Sequence, residues 1–407
     1  MKRQSRPTSI RLPVRPIHPF PARMAASIAL DELRDKRRPL RVLDPMVGSG
    51  TTVAVAKSQG HSAVGFDTDP LAVLLAKAWC LDLQEDAVRL AATRVLRRAV
   101  PLAKQMRIGD SYPCPEEDQE TRAFVRYWFD STNRRQLAAL SQAIRGVRDE
   151  GVKTILWCAF SRLIITKQAS VSLAMDLAHS RPHRVRERSD NRAFDKFLAA
   201  MEAVLSAASF KNCSTLGRAE VRSGDARSLP LPSESIDLVI TSPPYLNAID
   251  YLRCHKFTLV WMGHSINSLR ELRATNIGSE VGLNGSDCET LDAVIRQMTG
   301  RKQLSARHHG MLRRYVNDMQ AVIKEVSRVL VSGGRAIFVV GNSTLRGVFI
   351  KNSRAVSILG QQHGLRLLST RARRLPNNRR YLPPPSCGGN TIHNRMRTEV
   401  VMTLKKP

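Results

Sequence analysis

Apolar positions change their period twice near the start of the chain. Residues Met24 to Arg34 place apolar side chains at helical spacing, and "PLRVLDP" then gathers them into a short run that predicts a buried strand ending at Asp44. "GSGTTVAVAKSQG" turns through glycines into a helix that closes at Gly60, and "SAVGFD" predicts a second strand ending at Asp67. Strand, glycine turn, helix and strand make a βαβ unit, which calls for a parallel sheet with right-handed crossovers.

The strand signal then stops until about Ala208. "LAVLLAKAWCLDL", "RQLAALSQAIRGV", "TILWCAFSRLIIT" and "RAFDKFLAAMEAVLSAA" repeat at helical period, interrupted by the basic break "SRPHRVRERSDNR", so 71–208 is expected to be a helical insertion. Strands resume at "EVRSGDARSLP" and "SIDLVITSPPY", and "YLRCHKFTLVWMGH" predicts a helix. The polar stretch 265–309 reads as a loop region and a second insertion. Beyond it the helix "LRRYVNDMQAVIKEVSRVL" is expected to end at Gly333-Gly334, before the strand "RAIFVVGN", a helix over 351–363 and the strands "LRLLST" and "TEVVMTL". No period repeats along the chain, which excludes a solenoid. The expected architecture is α/β: a mostly parallel, Rossmann-like sheet over 17–70 and 209–407, with helices on both faces and a large helical insertion.

Charge narrows the partner. With 64 Lys and Arg against 35 Asp and Glu, the 407-residue chain carries a formal charge of +29. That excess points to a polyanion, and nucleic acid fits it best. A membrane surface is the competing polyanion, but no apolar run is long enough to span a bilayer and no acylation signal accompanies an amphipathic tail. The seven cysteines are scattered, without a C-x-x-C pair or matching histidine spacing, so reduced structural thiols and no metal site are expected. Residues 1–16 hold four arginines, a lysine and three prolines and predict an extended basic arm. Prolines interrupt the place where a signal peptide needs its apolar region, so a cytoplasmic protein is expected.

Four short stretches carry candidate chemistry. In "LDPMVGSGTT", Asp44 and Pro45 end a strand, and Gly48 and Gly50 let the backbone turn into a helix at Thr51 and approach a ligand closely. This is neither a Walker loop nor a full G-x-G-x-x-G, since Val53 occupies the third glycine position. A tight turn without a ligand is the plainer alternative. Asp67 in "VGFDTDP" ends the second strand, where an acidic group can accept both hydroxyls of a ribose; Asp69 could substitute, but before Pro70 it is better placed as a helix cap. Asp225 in "SGDARSLP" lies at the next strand end, where its carboxylate or nearby backbone could meet the amine of an adenine, or where it could simply stabilise a turn. In "TSPPY", Pro243 and Pro244 stiffen a strand end and remove two N–H donors, leaving carbonyl oxygens and the Ser242 hydroxyl as acceptors. An acceptor pocket suits an –NH₂ group, and Tyr245 offers a face on which a planar base can stack.

Taken together, "DPMVGSGTT", "GFDTDP" and "TSPPY" resemble motifs I, II and IV of the S-adenosylmethionine-dependent DNA amino-methyltransferases, which methylate N4 of cytosine or N6 of adenine. "HPFPARM", with Phe20, resembles their motif X, which packs near the methionine part of the cofactor. The resemblance covers about Ile17 to Pro70 and Ser223 to Trp261 by motif. The "SPPY" spelling is commonest where motif IV comes first, whereas here the order is X, I, IV. The resemblance implies a class I methyltransferase sheet, S-adenosyl-L-methionine as cofactor, double-stranded DNA as substrate and a place in restriction-modification or phage defence, with a companion restriction endonuclease as a further partner. It implies that Tyr245 stacks on a flipped-out base while Ser242 Oγ and the Pro243 carbonyl accept from its amine. Family habit favours cytosine N4 over adenine N6. Methylation at carbon 5 would need a Pro-Cys nucleophile; Pro113-Cys114 supplies the letters, but it lies in an acidic loop with no preceding core strand.

Three basic stretches, 179–192, 305–315 and 371–381, are candidate DNA contacts, and the two insertions are candidate target-recognition regions. The same core acting on RNA, and a non-catalytic nucleic-acid binder on a degenerate methyltransferase fold, are the competing readings. No RRM or KH signature supports the first, and the intact glycines and Ser242 to Tyr245 argue against the second.

Overall fold

The computed structural model describes residues 15–20, 23–82, 84–107, 109–175, 177, 182–208, 216–246, 251–278, 288–300, 302, 304–375 and 398–407. Its centre is a seven-stranded sheet of β1 (Arg41–Asp44), β2 (Ser62–Asp67), β3 (Ala219–Ser223), β4 (Ile236–Thr241), β5 (Leu330–Val340), β8 (Arg366–Arg374) and β9 (Thr398–Lys405). A separate hairpin pairs β6 (Ser343–Leu345) with β7 (Val348–Ile350). In space the sheet runs β3-β2-β1-β4-β5-β9-β8. The pairs among β1 to β5 are parallel, and β9 lies antiparallel to both its neighbours. This is the mostly parallel α/β sheet that the sequence predicts. Its order reverses between β1 and β4, which start their connections to opposite sides and so leave a crevice at their carboxyl ends.

Each central strand feeds two cores by alternation, as a sheet covered on both faces requires. Val42, Leu238, Ile240, Ile337 and Val339 face α1 (Ala26–Leu33), α2 (Thr51–Ser58) and α3 (Pro70–Lys77). Leu43, Val239, Ala336, Phe338 and Val340 face α12 (Ala306–Val329) and α13 (Asn352–Gln362). The region between α3 and β3 is helical, as expected: α4 (Glu85–Gln105), α5 (Gln119–Trp128), α6 (Ser131–Arg145), α7 (Glu150–Ile164) and α8 (Ala193–Ala208). Asp118, Asp130 and Asp149 start three of these helices by accepting a backbone N–H at Thr121, Asn133 and Val152, each cap contributing about 1 kcal/mol. Leu137, Phe160 and Phe197 are buried in the same cluster as the first sheet face, so these helices have no core apart from it. Trp261, fully buried beyond α9 (Leu252–Leu259), packs edge-on against Phe129 at a centroid distance of 5.3 Å.

Two expectations need correction. The stretch 265–309 is not simply a polar loop: α10 (Ile266–Thr275), α11 (Cys288–Thr299) and the first turn of α12 lie within it. Of α10 only Leu269 is buried, so its sequence lacks the apolar stripe that announces a helix. The helix before β5 ends at Val329 rather than at Gly333-Gly334. Both glycines lie inside β5, where the register shifts against β4 and where a Cβ on Gly334 would stand 2.8 Å from the Val331 carbonyl oxygen. Among the described residues, no helix is long and apolar enough to cross a membrane, and no cluster of His, Cys, Asp and Glu could hold a metal. The arm, apart from Arg15 and Pro16, lies outside the described residues, as do 179–181 and 376–381 of the basic stretches. Residues 305–315 form the start of α12, and Arg371 to Arg374 end the edge strand β8.

Candidate functional site

The carboxyl ends of β1, β2 and β4 gather most of the residues singled out in the sequence. Asp44 ends β1 and Pro45 is buried in the turn that follows. Gly48 and Gly50 adopt φ of 48° and 82°, left-handed values that favour glycine, and Thr51 begins α2. At Gly50 a Cβ would come within 2.6 Å of Trp79 Cδ1 and 2.9 Å of the Ala76 backbone, so the loop and α3 can close together only around a hydrogen atom. Trp79 Nε1 donates to the Ser49 carbonyl at 3.0 Å and fixes the loop from the same side.

Asp67 holds the other side of the loop. One carboxylate oxygen accepts from the Gly48 N–H at 2.9 Å and the other from the Asp69 N–H at 3.0 Å. Burial, with the Asp69 charge nearby, pushes its pKa up to about 7 against those two hydrogen bonds. A carboxylate has about four lone-pair sites, so these two bonds leave it acceptor capacity. Asp44 is raised to about 6, chiefly by burial, while the Met46 N–H that donates to its carboxylate at 3.2 Å pulls the other way. Asp69 caps α3, accepting from Leu71 N at 2.9 Å and Ala72 N at 3.4 Å above Pro70.

Asp69 also makes a contact the sequence did not reveal. Its second oxygen meets His255 Nδ1 at 2.5 Å, and both side chains are buried. The pairing holds Asp69 below the usual carboxylate range and raises His255 well above the ordinary imidazole value, against the desolvation both groups suffer. The His255 ring lies 5.2 Å from Phe20, which stacks on Tyr251 at 5.2 Å and 25°. Phe20 in turn sits 3.6 Å from where a Gly48 Cβ would be. Gly48, Asp67, Asp69, His255 and Phe20 thus close a ring of contacts at the mouth of the sheet. His255 is 186 residues from Asp69 in a helix that reads as ordinary, so no local pattern could have exposed the pair.

Ser242 to Tyr245 continues directly from β4, the neighbour of β1. Ser242, Pro244 and Tyr245 are half-buried and Pro243 is buried, with Ser242 Oγ 3.4 Å from Tyr245 Oη. Burial raises the Tyr315 hydroxyl of α12 above the ordinary tyrosine range, and Tyr245 adds to the shift. Asp225 is placed differently from its neighbours in the motif series: its carboxylate is engaged by Arg227 at 2.6 to 3.1 Å. Arg227 also meets Asp318 of α12 at 2.8 Å and the Thr275 carbonyl at the end of α10, so this cluster ties the β3 turn to two helices. Cys114 is partly buried between α4 and α5, and burial pushes its thiol up to about 11, the wrong direction for a nucleophile.

No protein-family model matches the chain. It is 22% identical over 418 aligned positions to the Type II methyltransferase M.MvaI of Kocuria varians, covering 95% of this chain and 90% of that protein. It is also 22% identical over 267 positions to the Type II methyltransferase M.BsoBI of Geobacillus stearothermophilus, covering 59% of this chain and 50% of the relative. Among solved structures, a SAM-dependent methyltransferase from Methanosarcina mazei aligns with a TM-score of 0.32 at 10% identity, over 91% of this chain and 94% of that one. The chain is thus similar along nearly its whole length to a protein named as a Type II methyltransferase.

Proposed function

We propose that this protein is a site-specific DNA methyltransferase that moves a methyl group from S-adenosyl-L-methionine to an exocyclic base amine, cytosine N4 in preference to adenine N6. The observation that carries the reading is the acceptor ledge Ser242 to Tyr245 at the end of β4, beside the glycine loop at the end of β1. The similarity to Type II methyltransferases supports DNA as the polymer, and the charge of +29 suits it. A role in restriction-modification, with a companion endonuclease, follows from the same similarity.

The cofactor fits the residues present. The left-handed glycines keep side chains out of the loop, Phe20 covers Gly48, and Asp67 keeps acceptor sites for a ribose. Bound there, S-adenosylmethionine supplies an electrophilic methyl group. Asp44, Pro45, Gly48, Gly50 and Thr51 form the floor; Asp225 is held by Arg227, which leaves the backbone of its turn to meet the adenine. Ser242 Oγ and the Pro243 carbonyl accept from the base amine, orienting its lone pair and dispersing the positive charge that grows on nitrogen. Tyr245 stacks on the base, and its contact with Ser242 leaves that hydroxyl a lone pair for the amine. No covalent bond to the protein is required. The catalytic domain is assigned to 17–70 and 209–407, and target recognition to the helical insertion 71–208 and the segment 265–309.

Labelled S-adenosylmethionine incubated with plasmid DNA or with RNA tests the reading, and nucleoside digestion with mass spectrometry names the base. Transfer to neither polymer would sink it; transfer to RNA alone would move the substrate, and N6-methyladenine would overturn the preference for cytosine. Tyr245→Ala should abolish transfer while cofactor binding survives.

A further inference from the structure

The β6–β7 hairpin springs from the carboxyl end of β5, on the edge of the sheet where β4 delivers Ser242 to Tyr245. Its base is clamped: Asn352 Nδ2 donates to the Gly341 carbonyl at 2.8 Å, the Ser353 N–H to Asn342 Oδ1 at 3.1 Å, and the Lys351 N–H to the Met298 carbonyl at 3.0 Å. The register pairs Ser343 with Ile350, Thr344 with Phe349 and Leu345 with Val348. Side chains alternate across a strand, so Leu345 and Ile350 share the underside, and they are buried in the same cluster as Leu246, the residue after Tyr245. Thr344 and Phe349 share the outer face.

Two features of this hairpin run against local preference. Alternation calls for a polar residue at 349, yet a phenylalanine stands there with half its surface exposed. The turn is Arg346-Gly347, with φ of 48° and 81°, a conformation that asparagine or glycine adopts readily and arginine does not. A left-handed arginine beside an exposed ring at the tip is a feature that packing alone does not explain.

We infer that this hairpin is a DNA wedge: Phe349 enters the base stack beside the extruded target, and Arg346 takes a backbone phosphate. The inference rests on the methyltransferase reading and names the element that meets the duplex. Its chemistry is that of apolar side chains inserted between base steps, which offset the stacking lost when a nucleotide leaves. The charge of the chain complements the partner, and the parallel pairing of β4 with β5 puts the hairpin on the same sheet edge as Ser242 to Tyr245.

The experiment uses the full chain, with the target site first mapped from methylated plasmid DNA. Phe349→Ser should lower kcat/KM about tenfold on a matched duplex and less than about twofold on one mismatched at the target base, where extrusion costs little. Arg346→Asn suits the left-handed turn, so its melting temperature should not fall, while the slope of log affinity against log salt should shrink by about 0.9, one phosphate contact. Equal losses on both duplexes, or full activity of Phe349→Ser on the matched one, would overturn the wedge while leaving the enzyme reading intact. A salt slope unchanged in Arg346→Asn removes the phosphate contact. A wild-type protein that methylates no duplex refutes both.

Discussion

If Asp67 binds the ribose as proposed, its raised carboxyl gives cofactor binding a pH dependence of definite sign. Ribose hydroxyls donate hydrogen bonds, so they favour the ionised carboxylate, whereas the free protein holds Asp67 at about 7. Below that pH a proton must leave before the ribose is bound, and affinity falls; above it the dependence flattens. For one ionisation at about 7, affinity at pH 8 should exceed that at pH 6 by about tenfold, or ~1.4 kcal/mol. The assay is calorimetric titration with 5′-methylthioadenosine, which carries the adenosine but no amino-acid group to titrate. Asp67→Asn should weaken binding and abolish the slope. A flat profile in the wild type, or an unchanged slope in Asp67→Asn, would refute the assignment of this carboxylate to the ribose.

Three further outcomes are expected. Gly50→Ala forces a Cβ toward Trp79 Cδ1 and the Ala76 backbone at a left-handed φ, and should cost about 2 kcal/mol or more in thermal or urea unfolding, with loss of cofactor binding. Cys114→Ser should leave methyl transfer unchanged, since burial holds that thiol protonated; loss of transfer would reopen carbon-5 chemistry. Arg227→Met strands Asp225 beside Asp318 and should destabilise the fold by about 1–2 kcal/mol, less than a fully buried pair because all three side chains keep some solvent contact. Its urea midpoint is the measurement.

What the sequence revealed followed from local physics. β1, α2 and β2 were legible with their ends because Asp44, Gly60 and Asp67 punctuate short apolar runs, and the Asp69-Pro70 cap could be read from its letters alone. Contacts between distant segments were not legible. Asp225 looked open to a ligand because nothing nearby announces Asp318, 93 residues on, as the second carboxylate on Arg227. The β6–β7 hairpin escaped notice because its strands are three residues each, too short to display a period, and its turn lacks the Asn-Gly signal. His255 and its pairing with Asp69 depend on the packing of α9 against α3, which only the tertiary fold creates.

The shared core of the helical region and the sheet bears on attempts to re-engineer the chain. Phe129, Phe160 and Phe197 are buried in one cluster with Val42, Ile240 and Trp261, so excising α4 to α8 would strip a face of the sheet rather than free a module. Replacing the helices between β2 and β3 would have to reproduce that apolar face residue by residue. Helix α10 itself, with Leu269 its one buried residue, is far more tolerant of replacement.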